Sequence, residues 1–245
     1  MTNLRTPRLA RLLLAALVTA VTGAALLTGT ATSASAAGPV RLTFSNTGCR
    51  TATVYWDNGG TLVSYGTVAG KASTSVTTYP GHRWVLKVGT MTVGSRTVGT
   101  TSSTKRFDSF GCVAFTGRFA AEHSGKCLNV PGFATASGTR IIQYTCGNGA
   151  SNERFRAVTA PGGYMLQNVN SGRCLTVPGA STTPGTGVVQ SGCSYMRRQI
   201  LVLGADGSMA FRHSGQCVDV YGASTADHTP IIQWPCNGQP NQRWY

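Results

Sequence analysis

Short segments in which apolar and polar residues alternate follow one another through the first half of the chain. β-branched and aromatic residues recur at every second position of these segments. A period of two residues is typical of a β-strand with one buried face. The pattern predicts five strands, at residues 40–44, 52–56, 62–65, 74–79 and 83–88.

Turn-forming residues separate these strands, as in D-N-G-G, A-G-K and P-G, and no window has the period of a helix. About 75 residues suffice for a small β-sandwich. We therefore predict a helix-free sandwich over residues 38–112. The polar segment 99–111 predicts a flexible boundary that ends at Cys112.

The second half of the chain contains three copies of one pattern. Each copy opens with Cys, a hydrophobic residue, a polar residue and Val, and a second Cys follows 19 positions later. Each copy ends in a degenerate Q-x-W whose third position is apolar, at Phe155, Leu201 and Trp244. Three copies are too few for a usual β-propeller. We predict an all-β chain, in which a small β-sandwich is followed over residues 113–245 by three β-rich units that close on a pseudo-threefold axis.

The first 37 residues have the layout of a secretory signal peptide. Three arginines precede an apolar run over residues 12–27, and small residues follow up to Ala36. A membrane anchor is the alternative, but no stop-transfer charges follow the run. No other apolar stretch is long enough to span a bilayer. The pattern predicts cleavage near Ala36 or Ala37 and a secreted, extracellular protein without a membrane span.

Eight cysteines in an exported chain predict a disulfide framework. The repeat favours one bridge in each copy, which leaves one pair for the first half. The predicted pairs are Cys127 with Cys146, Cys174 with Cys193, Cys217 with Cys236, and Cys49 with Cys112. Metal binding is the alternative use of cysteine, but no CxxC or HxxxH spacing occurs. We predict no metal site and no cofactor.

The chain carries 21 basic and 7 acidic residues, a net charge of +14. The basic residues are scattered, and none of their runs is longer than a pair. General solubility therefore explains the charge better than a nucleic-acid site, although weak polyanion binding is a further alternative. No motif of a known hydrolase or nucleotide-binding enzyme occurs. We predict that the protein is not an enzyme and binds no specific nucleic acid.

The three Cys pairs, C-x-x-V and Q-x-W together strongly resemble the ricin B-type lectin family, the QxW β-trefoil. The resemblance implies sugar binding in one shallow pocket per repeat, where the polar residues are kept. A carboxylate accepts hydrogen bonds from sugar hydroxyls, and an aromatic face covers the apolar side of the ring. In the third repeat the matching residues are Asp219, Trp234, Asn241 and Gln242.

The other two repeats match this pattern less well. The first has Asn129 for the acid, Tyr144 for the aromatic residue and Asn152 in the amide pair, which predicts a weaker or altered site. The second has Thr176 and Ser191, with neither acid nor aromatic residue, which predicts no sugar site. A pure scaffold role for the trefoil is the alternative.

The first half resembles the β domain of the von Hippel-Lindau tumour suppressor, most specifically in T-Y-P-G-H-R-W-V at residues 78–85. In that family an aromatic-lined groove binds a hydroxyproline peptide. The resemblance implies a partner-binding groove formed by Trp56, Tyr65, Thr78, His82 and Trp84. The alternative is that these residues are the packed core of a small sandwich.

These patterns predict a secreted, non-catalytic protein that binds a glycan or polysaccharide, chiefly through the third repeat. The alternative is a targeting subunit of a larger extracellular assembly, such as a toxin or adhesive complex. In that case the first half binds a protein partner while the trefoil addresses a surface.

Overall fold

The computed structural model describes residues 37–245, which form eighteen β-strands joined by turns and six short 3₁₀ segments. These residues contain no α-helix, and none of their short 3₁₀ segments is long enough to cross a bilayer. The predicted signal peptide lies outside the described residues, apart from its last position.

The first seven strands form two sheets. Their bounds are β1 Val40–Asn46, β2 Ala52–Asn58, β3 Thr61–Val68, β4 Ser73–Thr78, β5 Arg83–Val88, β6 Met91–Thr97 and β7 Ser103–Phe107. One sheet has the order β4-β1-β7, in which β1 is antiparallel to β4 and parallel to β7. The other sheet is antiparallel, with the order β3-β2-β5-β6.

The two sheets share one core, because each strand turns alternate side chains inward. Leu42 and Phe44 of β1 meet Val54 of β2 and Trp84 and Leu86 of β5, and all five are at most 2% exposed. This arrangement confirms the predicted small β-sandwich.

The segment that was predicted to be a flexible boundary is partly a strand. β7 pairs with β1 over five residues, and Phe107 at its end is 6% exposed within the sandwich core. Most residues of β7 are polar or basic, and Phe107 is its one buried apolar residue. The sequence pattern therefore gives little sign of a strand here. β6, which pairs with β5, was also not predicted.

The remaining strands build the trefoil. They are β8 Val113–Gly117, β9 Cys127–Asn129, β10 Ile142–Tyr144, β11 Phe155–Ala160, β12 Gly163–Asn168, β13 Cys174–Thr176, β14 Val189–Ser191, β15 Leu201–Leu203, β16 Met209–Phe211, β17 Cys217–Val220 and β18 Ile231–Trp234. In each repeat the strand that opens with the first Cys pairs antiparallel with the strand before the second Cys.

A closed ring of backbone hydrogen bonds joins the three repeats. The N–H of Ile141 donates to the carbonyl of Val188 at 2.9 Å, Val188 donates to Ile231 at 2.8 Å, and Ile231 donates to Ile141 at 3.0 Å. All three side chains are fully buried. The ring relates the repeats by pseudo-threefold symmetry and satisfies six buried backbone groups in one cycle.

Three buried glutamines form a second cyclic network outside this ring. Each glutamine amide nitrogen donates to two carbonyls in a loop of another repeat, at 2.6 to 3.0 Å. Gln143 reaches the third repeat, Gln190 the first and Gln233 the second. Each side-chain oxygen accepts from a serine in the glutamine's own repeat. The trefoil is therefore closed by polar contacts as well as by its core.

The disulfides have the predicted connectivity: Cys49–Cys112, Cys127–Cys146, Cys174–Cys193 and Cys217–Cys236. The third positions of the degenerate Q-x-W segments, Phe155, Leu201 and Trp244, lie in one core cluster and are at most 5% exposed. The apolar residue at this position is therefore a core residue in every repeat.

The sandwich and the trefoil are in contact. The N–H of Gly111 donates to the carbonyl of Thr159 at 2.9 Å, and the guanidinium of Arg50 lies 4.6 Å from the ring centre of Tyr195. Residues 37–245 form one compact unit. The division into domains at residues 112 and 113 therefore stays a prediction.

Replacement of Gln190 by alanine tests the glutamine network. We expect Gln190→Ala to lower the free energy of unfolding by about 2–4 kcal/mol, because buried polar partners lose their hydrogen bonds. The half-buried Gln167 donates to one exposed carbonyl and, weakly, to the sulfur of Cys193 at 3.8 Å, so Gln167→Ala should cost about 1 kcal/mol or less. Urea denaturation with intact disulfides measures both values, and equal losses would contradict a special role for the network.

Candidate functional site

The third repeat has an open pocket of about 400 Å³ beside the paired strands β17 and β18. Asp219 of β17 lies opposite Ile232 of β18, and the short turn Tyr221–Ala223 forms one wall. The lining residues are Asp219, Tyr221, Gly222, Ala223, Ile232, Trp234, Asn237, Gln239 and Asn241. Asp219 is the only ionisable acid among them.

Two amides hold one oxygen of the Asp219 carboxylate. Oδ2 accepts from Nδ2 of Asn241 at 3.0 Å and from Nε2 of Gln242 at 2.8 Å. Oδ1 accepts no hydrogen bond from any of the described residues. The carboxylate is thus fixed in orientation, and Oδ1 is the oxygen left for a ligand.

Burial raises the pKa of Asp219 above its ordinary value, because the charged form loses solvent. The two amide donors and the charge of His123 oppose this shift in part. The side chain is 3% exposed. Such a carboxylate gains from additional donors, since they replace the water that burial has removed.

Two exposed aromatic side chains flank the carboxylate. Trp234 is 42% exposed and Tyr221 is 60% exposed, and the buried Ile232 contributes an apolar surface to the same pocket. Trp234 was predicted from the resemblance to the lectin family. Tyr221 was missed, although an aromatic residue directly after C-V-D-V was a usable signal.

The predicted amide pair has two different positions. Asn241 lines the pocket, and its contact with a sugar stays a prediction. Gln242 does not line it: the side chain is 1% exposed, donates to Asp219, and accepts from the N–H of Asn237 at 2.9 Å. Its assignment as a direct contact is corrected, because its hydrogen bonds to the protein place it behind the carboxylate.

The first repeat has a pocket of about 320 Å³ that contains all three predicted residues, Asn129, Tyr144 and Asn152. Phe133 and His228 line it as well, and neither was predicted. The rings of His228 and Tyr144 meet edge to face, with centres 4.9 Å apart. His228 belongs to the third repeat, so the loop that carries it reaches across to the pocket of the first repeat.

The equivalent polar side chains of the second repeat bind one another. Thr176 Oγ1 lies 2.7 Å from Ser191 Oγ, and Nε2 of Gln199 donates to both hydroxyls. Arg198 occupies the position of Asn241 in the sequence. The second repeat therefore offers neither a carboxylate nor an aromatic face at this point, and its lack of a sugar site stays a prediction.

In the sandwich, the predicted partner groove is only partly accessible. Thr78 and Trp84 are each 2% exposed, and the indole N–H of Trp84 donates to Thr78 at 3.0 Å. These two residues belong to the packed core, so their assignment as surface contacts is corrected. His82 Nδ1 also lies 3.1 Å from the Thr78 hydroxyl.

The other predicted groove residues surround this core pair at the surface. Trp56 lies 5.2 Å from His82 between ring centres, and Tyr65 contacts the edge of Trp84. Tyr79, which was not predicted, packs against His82. Tyr65 is 59% exposed and Tyr79 is 53% exposed. Tyr65, Tyr79, Trp56 and His82 form an aromatic cluster, and we use that name below.

Two family models match the second half of the chain. The ricin-type beta-trefoil lectin domain matches residues 162–245, and the ricin-type beta-trefoil lectin domain-like family matches residues 115–191. Residues 115–245 are a ricin-type β-trefoil lectin domain. Neither model reaches the sandwich, so its resemblance to the von Hippel-Lindau β domain stays a prediction.

Three solved structures are similar to this part of the chain. The designed threefold-symmetric protein ThreeFoil is 38% identical, with 53% of this chain and 95% of ThreeFoil covered and a TM-score of 0.50. The agglutinin of Rhizoctonia solani is 23% identical over 54% of this chain and 95% of its own, with a TM-score of 0.47. An earthworm R-type lectin C-half in complex with GalNAc is 15% identical. The match covers 53% of this chain and 95% of the earthworm chain, with a TM-score of 0.44. A comparison with curated proteins found no match.

The raised pKa of Asp219 predicts a pH-dependent difference between the wild-type chain and Asp219→Asn. Because the folded pKa lies above the unfolded one, the stabilisation from protonation is present at low pH and lost as the pH rises through the folded value. The wild type should therefore gain stability relative to Asp219→Asn when the pH falls from about 7 to about 4. Thermal denaturation of both proteins measures the difference.

Asp206→Asn is a control of opposite sign, because hydrogen bonds from Ser208 lower the pKa of Asp206. In this comparison the wild type should lose stability relative to the variant on acidification. A wild type that loses stability relative to Asp219→Asn over the same range would contradict the assigned shift.

Proposed function

We propose that the protein is a secreted lectin that binds a glycan or polysaccharide chiefly through the third repeat. A ricin-type lectin domain by itself suggests carbohydrate binding. The observation that supports the third repeat is the carboxylate of Asp219, with one oxygen held by two amides and the other free in a pocket that Trp234 and Tyr221 also line.

The pocket has the chemistry that a sugar ring requires. Asp219 Oδ1 would accept charge-assisted hydrogen bonds from neighbouring hydroxyls. The exposed faces of Trp234 and Tyr221 would cover the apolar C–H side of the ring. Asn237 and Gln239 on the pocket wall would add directed hydrogen bonds. The fixed carboxylate needs little reorganisation on binding, which lowers the entropic cost of association.

The two pockets are better suited to binding than to hydrolysis. Hydrolysis of a glycosidic bond ordinarily requires a pair of carboxyl groups on either side of it. Each pocket is lined by a single carboxyl group, that of Asp219 in the third repeat and that of Glu153 in the first. Both oxygens of Glu153 accept backbone hydrogen bonds, from Gly147 and Gly149. We therefore propose recognition without catalysis.

Secretion is the part of the proposal that rests on the leader pattern and the cysteines. Four disulfides suggest an oxidising compartment. The layout of the first 37 residues is that of a cleaved signal peptide.

Asp219→Asn tests the binding site with little change of shape. The amide oxygen can accept from Asn241 and Gln242 as Oδ2 does, which turns an amide nitrogen toward the ligand. We expect affinity to fall at least about tenfold, because a charge-assisted acceptor becomes a donor. A glycan array at moderate salt identifies the ligand, and calorimetry with that ligand measures the loss.

The matched control is Asp206→Asn, which removes the same charge from an exposed turn elsewhere in the trefoil. Its affinity should equal that of the wild type. Equal losses in both variants would favour polyanion binding or a general charge effect, and unchanged binding by Asp219→Asn would contradict the proposed site. A loss that depends steeply on salt would also indicate polyanion binding.

A second candidate function is a targeting subunit whose sandwich binds a protein partner. The aromatic cluster favours it, because Tyr65 and Tyr79 are more than half exposed beside Trp56 and His82. Exposed tyrosines next to a tryptophan are typical contacts of protein interfaces. The lectin domain would then direct the assembly to a glycan surface.

The double variant Tyr65→Ser/Tyr79→Ser tests this second function, because both rings lie at the surface of the sandwich. We expect it to lose co-elution with a partner from culture medium in size-exclusion chromatography, while glycan binding is kept. A wild-type chain that elutes as a lone monomer from that medium would contradict a stable assembly.

A further inference from the structure

The pockets of the first and third repeats offer hydrogen-bonding atoms of opposite kind at the same position. In the third repeat this atom is Asp219 Oδ1, since Oδ2 is occupied by Asn241 and Gln242. An ionised carboxylate oxygen accepts hydrogen bonds and donates none. The third pocket therefore selects groups that donate, such as sugar hydroxyls.

In the first repeat the corresponding residue is Asn129, and its orientation follows from its neighbour. Nδ2 of Asn152 donates to the carbonyl of Val130 at 3.0 Å, which identifies this atom as the amide nitrogen. The same nitrogen donates to Asn129 Oδ1 at 3.1 Å. Nδ2 of Asn129 has no partner among the described residues, and Asn129 lines the pocket. The first pocket thus offers a donor.

Glu153 explains why the first pocket offers a hydrogen-bond donor where the third offers an acceptor. It stands where the third repeat has Gln242, and it is 1% exposed. Its two oxygens accept from the N–H groups of Gly147 at 2.8 Å and Gly149 at 3.1 Å. Gln242 donates to Asp219, but a carboxylate cannot donate in this way. An aspartate at position 129 would add a second buried charge beside Glu153, with Asn152 as its one amide donor where Asp219 has two, so a neutral amide suits the first repeat.

The remaining lining of the first pocket is largely apolar. Phe133 is 53% exposed, and Ile142 and Ala150 line the same space as the ring of Tyr144. These surfaces fit a small methyl group next to an acceptor. No lysine or arginine is among the residues that line this pocket, and the buried carboxylate of Glu153 is paired with Arg118 at 3.6 Å, so an anionic ligand meets no free cation there.

We propose that the first repeat binds a sugar with an N-acetyl group, whose carbonyl oxygen accepts from Nδ2 of Asn129. Its methyl group packs against Phe133 and Tyr144. The third repeat binds through hydroxyl donors, so one chain recognises two different sugars and can bridge them. This inference rests on the proposed lectin function, and it assigns a separate ligand class to the first pocket.

Matched sugars that differ only at the acetamido position test the proposal. N-acetylgalactosamine is compared with galactose, and N-acetylglucosamine with glucose, by NMR titration of the chain from residue 38. Signals of Tyr144 and His228 report on the first pocket, and the indole signal of Trp234 reports on the third. We expect an acetamido sugar to shift the first set at a concentration about tenfold lower than its parent hexose.

The variant Asn129→Asp/Glu153→Gln gives the first repeat the acid and amide of the third. It should reduce the preference for the acetamido sugar at the first pocket by about tenfold or more and leave the Trp234 response unchanged. Asn129→Ala removes the donor without adding a charge, and it should cause the same loss if the double variant does not fold. Asp219→Asn is the reciprocal control, since it should weaken the Trp234 response alone.

The outcomes separate this inference from the function on which it rests. Hexose binding at Trp234 without acetamido preference at Tyr144 would overturn the inference and keep the lectin function. Stronger binding of galacturonic acid than of either acetamido sugar at the first pocket would overturn the assigned ligand class. If no array glycan and none of these sugars perturbs either pocket, the lectin function itself fails.

Discussion

The trefoil depends on the cyclic hydrogen bonds between the backbones of Ile141, Val188 and Ile231. Three unequal sequences are held to one geometry because each of these residues donates to one repeat and accepts from another. The buried glutamines at 143, 190 and 233 extend the same cycle outward. Since these contacts use backbone groups and buried amides, surface residues of each repeat are free to differ.

The three sites show what this freedom allows. The same strand position carries Asn129, Thr176 or Asp219 on nearly equivalent backbones. In the third repeat two amides orient a carboxylate, and in the second the hydroxyls and Gln199 bind one another. In the first repeat a buried glutamate takes the place of the glutamine, and the residue beside it is neutral. The residue at the first position of Q-x-W, which is Glu153, Gln199 or Gln242, thus determines which polar group the pocket of that repeat can present.

The sequence predicted much of this arrangement, because the repeat places equivalent residues in register. The disulfide pairs and the apolar residues at 155, 201 and 244 follow from spacing alone. The buried roles of Gln242 and Trp84 do not, since spacing cannot tell a side chain that faces a ligand from one behind it. His228 lies in a loop that crosses to another repeat, and β7 has a single inward Phe, so neither gives a local signal.

The most direct test of the account is a crystal structure of the chain from residue 38 with the glycan that an array identifies. We predict sugar hydroxyls within hydrogen-bond distance of Asp219 Oδ1, with the sugar ring against Trp234. A glycan bound outside the third-repeat pocket, with Asp219 Oδ1 uncontacted, would contradict it.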